Sequence, residues 1–130
     1  MSRRCNGRHV YAMEFHVEEV GGRPRAVFED EGPLRGSLLS YFLHPAPYFV
    51  PDMLYELTMV ERNSVESSGF DTPYVDVTFH RDRVVIEQFL AEGEEGEPPR
   101  VTISLDEAKL LLLEWGVALQ RRKVERGRPL

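Results

Sequence analysis

Cysteine is almost missing from this sequence: among 130 residues only Cys5 carries a thiol, which excludes an internal disulfide and a cysteine-paired zinc site. No apolar run approaches the length that crosses a bilayer, and Arg3-Arg4 is not followed by the apolar segment of a secretory signal. The expected address is the cytoplasm, with no membrane partner. Equally missing are a Gly-x-Ser-x-Gly elbow, a glycine-rich phosphate loop and a dinucleotide fingerprint, so Gly21-Gly22 reads as a turn and no cofactor is expected. The four histidines, His9, His16, His44 and His80, have no metal-ligand spacing among themselves, and no metal is expected. His80 lies beside Asp76 and Asp82, the pattern of a base with an orienting carboxylate, but a charged hairpin turn accounts for it equally. No internal repeat is visible.

What is present is carboxylate. The net charge of −6 hides a segregation, because the body from His9 to Gln120 holds eight basic and twenty-one acidic residues, a balance of −13, while both ends are basic. An acidic body repels nucleic acid and attracts basic proteins. The basic ends read as short tails, which gives a single domain over 1–130 with an ordered body of about 9–124. The densest carboxylate runs are Glu92, Glu94, Glu95 and Glu97, and then Glu29, Asp30 and Glu31. They are the candidate contacts for a basic partner.

The longest periodic segment is Ser104 to Arg122, around which the remaining elements are read. Ser104 and Glu107 form a capping box, and Ala108, Leu111, Leu112, Trp115, Ala118 and Leu119 share one face of the helix that follows. Trp115 is placed in the core. A second stripe, Leu110, Leu113 and Val117, calls for cover, either by another helix of the chain or by an oligomer seam, and the former is preferred. Upstream, Val10–Val20 and Pro24–Glu29 read as strands joined at Gly21-Gly22. Leu34–Leu43 reads as a helix with Ser37 as its N-cap, stopped by His44-Pro45. The run His44–Pro51 should be extended, with Tyr48 and Phe49 covering the core. Asp52–Arg62 fits helix and strand periods alike, the helix being preferred. Asn63–Pro73 reads as loop. Val75, Val77 and Phe79, then Val84, Ile86 and Leu90, give the inward faces of a hairpin that turns at His80–Arg83, and Val101–Ile103 is one more strand. The fold class is α+β: an antiparallel β-sheet with helices packed on one face and a long C-terminal helix.

The succession Tyr74-Val75-Asp76-Val77, Val84-Val85-Ile86-Glu87, Val101-Thr102-Ile103-Ser104-Leu105-Asp106-Glu107 and Leu111-Leu112-Leu113-Glu114-Trp115 resembles small bacterial immunity proteins. These are the antitoxins of contact-dependent growth inhibition and related polymorphic toxin systems. The shared features are a strand hairpin, an acidic linker, a strand, and a helix whose leucines precede Glu-Trp. The resemblance covers the last third of the chain and implies a non-enzymatic inhibitor whose partner is a cognate toxin C-terminal domain, often a nuclease. It transfers no individual functional residue. The second class left open is a small α+β enzyme or ligand-binding protein with a pocket between helix and sheet. Oligomeric state, monomer or weak dimer, is left open as well.

Overall fold

The computed structural model describes residues 13–46, 48–90 and 93–127. Cys5, His9, the N-terminal basic segment, the start of the expected first strand and Glu92 lie outside the described residues.

The chain opens with an antiparallel pair, β1 (His16–Val20) and β2 (Arg23–Val27). Gly21 and Gly22 both have positive φ, 60° and 80°, as the two-residue turn of a right-twisted hairpin requires. A single 3₁₀ turn (Glu29–Glu31) leads into α1 (Pro33–Phe42). This helix starts five residues earlier than the Ser37 cap would place it: Pro33 occupies its first turn, where the missing N–H costs nothing, and Gly32 at φ 82° stands before it. It ends where expected, ahead of the His44-Pro45 step.

The second helix, α2 (Phe49–Glu61), confirms the helical reading of the ambiguous segment. Val50, Met53, Leu57 and Val60 are buried at helical spacing while Tyr55, which strand alternation would have turned inward, is exposed. The extended run after α1 is correspondingly shorter than expected. Asn63 takes φ 61°, and Ser64 N–H reaches back to Met59 O at 2.9 Å, a left-handed stop that satisfies the last carbonyls.

Four strands form the main sheet in the order β3 (Ser67–Asp71), β4 (Val75–His80), β5 (Val84–Gln88), β6 (Arg100–Ile103), each antiparallel to its neighbour. The strand β3 was expected as loop. Its sequence Ser-Ser-Gly-Phe-Asp has little intrinsic strand preference, and pairing with β4 imposes the conformation on it. Val75, Val77, Phe79, Val84, Ile86, Val101 and Ile103 are buried on the helix-covered face. Leu90 is a correction. It lies beyond the end of β5 and is exposed, because at Gln88 the ladder closes onto Pro99 O and the chain then leaves the sheet.

The last helix, α3 (Leu105–Gly127), carries the capping box as read: Glu107 N–H donates to Ser104 Oγ at 3.0 Å and Ser104 N–H to Glu107 Oε1 at 2.8 Å. Ala108, Leu111, Leu112 and Trp115 are buried, and Ala118 and Leu119 are partly buried against the same core. The second stripe is not covered by α2: Leu113 is 47% and Val117 57% exposed. α2 instead meets α3 near Gly116, where an added Cβ would lie 3.3 Å from Val50 Cγ1. The helix runs past the expected end at Arg122, so that residues 123–127 are the final turns of α3. There, Arg122 binds both carboxylate oxygens of Glu19, at 2.9 and 3.0 Å, and donates to Gly22 O, clamping the β1–β2 hairpin to the helix.

The innermost element is α1 rather than α3. It packs against β4, β5 and β6 and also against β2, so Gly36, Leu38, Leu39, Ser40 and Phe42 are all buried. An apolar surface on more than one side marks a helix enclosed by its neighbours.

Candidate functional site

The segment after α1 cannot continue as helix because Pro45 bars the helical conformation at His44. Two hydrogen bonds hold it: Trp115 Nε1–H donates to His44 O at 2.8 Å, and Ala46 N–H donates to His44 Nδ1 at 3.0 Å. Phe49 then opens α2. The turn between β3 and β4 is fixed by buried Thr72, whose Oγ1 accepts the N–H groups of Tyr74 and Val75 at 3.2 and 3.0 Å. Side-chain capture of backbone N–H groups is the usual device of a short turn. It leaves Tyr74 54% exposed.

These two segments meet in a run of rings. Tyr41, near the end of α1, stacks on Tyr74 with centroids 5.0 Å apart, and Tyr74 lies 6.4 Å from the nearly parallel His44 ring. His44 contacts Phe49 at 4.2 Å, and Phe49 meets Tyr48 and Phe70 edge-on at 4.7 and 5.5 Å. Tyr48, expected to cover the core, is 61% exposed at the outer end of this shelf. Burial and the nearby charge of Arg23 hold the His44 pKa below the usual imidazole value.

The acidic linker leaves from the same end of the sheet, since Val75 pairs with Gln88 and Phe89 N–H donates to Tyr74 O at 3.3 Å. Glu94, Glu95 and Glu97 are exposed in it, the first two between Gly93 and Gly96, whose φ are 89° and 101°, and Glu97 just after them. Phe89 extends the exposed aromatic surface on that side. The other carboxylate run is not a uniform patch. Glu31 binds Arg35 at 2.8 Å and is largely shielded, Glu29 lies 3.7 Å from His16 Nε2, and Asp30 is exposed.

His16, Glu18 and Glu29 bring one possible ligand atom each within 4.8 Å of the others, all on exposed side chains. Strand alternation puts His16 and Glu18 on one face, a signal visible in the sequence, whereas Glu29 arrives only through the hairpin. The hydrogen bond that His16 Nε2–H donates to Glu18 raises the His16 pKa above its ordinary value. Among the described residues no carboxylate is bonded to His80: Asp82 is taken by Arg83 at 3.0 Å, and Asp76 is engaged by Asp71. On the sheet face away from the helices, Asp71, Asp76, Glu87 and Arg100 follow one another across the strands, and Arg100 pairs with Glu87 at 2.8 Å. The Asp76 carboxyl is pushed up to about 6, first by the hydrogen bond with Asp71, then by burial and the charges of Asp71 and Glu87.

Among the described residues no helix is long and apolar enough to cross a membrane. Comparison with known proteins returns no match: no family model, no curated protein and no solved structure aligns with this chain.

Proposed function

We propose that this chain is a non-enzymatic immunity protein that binds and neutralises a cognate bacterial toxin domain, with the aromatic shelf as its contact surface and the β5–β6 loop as an acidic rim. The observation that carries the surface assignment is a contiguous run of rings at one end of the sheet, exposed at Tyr48 and Tyr74 and half-buried at Phe49, His44 and Tyr41 between and beside them. Large rings are the usual anchors of protein interfaces, because each buries much area for few rotatable bonds. Glu94, Glu95 and Glu97 beside them suit a basic partner, and the resemblance to immunity proteins supplies the partner class. An acidic body of −13 would steer such a partner electrostatically, an effect screened over about 10 Å at 0.1 M salt. The other class, a small ligand-binding protein, is favoured by one observation: Arg23, Arg25 and His44 line a single concavity at the end of α1.

The test is co-expression with the toxin domain encoded beside this gene, with growth and binding measured together. The wild-type chain should protect. Tyr48→Ala with Tyr74→Ala should speed dissociation at least about tenfold, and replacing Glu94, Glu95 and Glu97 by glutamine should slow association and weaken its salt dependence. A chain that neither binds nor protects ends the immunity reading. Protection with unchanged dissociation in the tyrosine variant would move the contact surface elsewhere.

A further inference from the structure

The concavity between the β1–β2 hairpin and the C-terminal end of α1 has a composition at odds with the rest of the surface. It encloses about 290 Å³. Arg23 and Arg25 enter from the hairpin, Ser40, Tyr41 and His44 from the helix end, and Tyr74 closes one side. In a body of −13, four of the eight cations, Arg35, Arg83, Arg100 and Lys109, are ion-paired, while Arg62 and Arg81 lie exposed on different segments. Arg23 and Arg25 make no ion pair among the described residues and lie two positions apart on one strand, with Glu18 opposite Arg25 across the hairpin engaged by His16 instead. Arg25 Nε–H donates instead to the hydroxyl of buried Ser40, at 3.3 Å, which holds its guanidinium along the wall.

The rest of the lining includes the Tyr41–Tyr74 stack and the nearly parallel His44 ring. Because Ala46 N–H occupies His44 Nδ1, the neutral ring carries its proton on Nε2 and has one donor to offer. Two guanidinium groups lining one concavity repel each other until an anion joins them, and a planar fork suits a carboxylate better than a point charge would. The volume lies at the small end of ligand pockets, which suits a compact ligand of one or two fused rings.

We propose that this concavity binds a small aromatic carboxylate, its ring against Tyr41 and Tyr74 and its carboxylate between Arg23 and Arg25. The proposal does not depend on the toxin-binding reading, and its test uses no partner protein.

The probe is 2-naphthoate, titrated into the full chain by calorimetry and followed by amide chemical shifts. Saturable binding is expected, with the largest shifts at residues 23–25, 40–45 and 74. Arg23→Gln and Arg25→Gln should each weaken it at least about tenfold, about 1.4 kcal/mol, and 2-naphthalenemethanol, the same ring without charge, should bind at least about tenfold more weakly than the acid. Tyr74→Ala should weaken acid and alcohol alike, because it removes the ring contact and not the charge. Both arginines are exposed on a hairpin, so their variants retain the fold, which unchanged shifts elsewhere would verify. Absence of binding at millimolar probe overturns the proposal. So does binding indifferent to both arginines, or shifts centred on a different concavity, such as the one along α3 at Val117 and Val124.

Discussion

Gly36→Ala is the substitution whose sign discriminates best. Gly36 lies inside α1, where helix propensity alone predicts that alanine should stabilise the protein by about 1 kcal/mol. The structure predicts the reverse. A Cβ at this position would sit 2.9 Å from the carbonyl oxygen of Phe28, a backbone atom that has no rotamer to move away. Relief requires α1 to lift off the strand leading to Phe28, and α1 is the element packed between β2 and the main sheet. Overpacking of that kind costs about 1–3 kcal/mol, which, less the propensity gain of about 1 kcal/mol, leaves a net loss centred on about 1 kcal/mol. For a chain of this length a loss of about 1 kcal/mol corresponds to a fall of roughly 3–5 °C in Tm. The assay is urea unfolding followed by circular dichroism, with Gly116→Ala as control. The control alanine in α3 meets only Val50 Cγ1, at 3.3 Å, the movable end of a side chain, so it should be neutral or stabilising by up to about 1 kcal/mol. A Gly36→Ala protein more stable than wild type, with an unchanged denaturant slope, would refute the close packing of α1 on Phe28.

Asp76→Asn tests the acidic row on the open sheet face. A carboxyl held at about 6 keeps a proton that the unfolded chain has already released, so its stabilising contribution is present below about pH 4 and is lost as pH rises through about 6. The asparagine variant should flatten that dependence and, allowing for solvent screening of a partly exposed group, gain about 1 kcal/mol at neutral pH; unfolding midpoints at pH 4, 6 and 7.5 that keep the wild-type slope would rule the account out. Leu112→Ala, at a fully buried position of the common core, should lose about 2–5 kcal/mol in the same assay, and a loss below 1 kcal/mol would mean that the site is not packed as described. Ser104→Ala removes one half of the capping box and should cost about 1 kcal/mol. Adding Glu107→Ala should then cost less than it does alone, because the two bonds are reciprocal; strictly additive losses would contradict this.

Elements whose cause is local were legible in the residues alone. The capping box at Ser104, the Gly21-Gly22 turn, the stop at His44-Pro45 and the alternation of Val75, Val77 and Phe79 each depend on neighbours a few positions away, and all stand in the structure as read. Burial of Trp115 also followed from its position on the helix face. What depends on partners distant in the chain did not follow. β3 exists because β4 pairs with it, and Leu113 and Val117 stay open because α2 meets α3 at Gly116 instead. Nor did the long periodic helix prove to be the centre, since periodicity reports which face of a helix is apolar and not how many neighbours enclose it. The candidate surface belongs to the same category. Tyr41, His44, Phe49, Phe70 and Tyr74 come from α1, the connection after it, α2, β3 and a turn, and the arginines beside them come from β2. No window of sequence contains them together. A side chain's partners are set by how elements pack, through long-range contacts that local spacing does not encode.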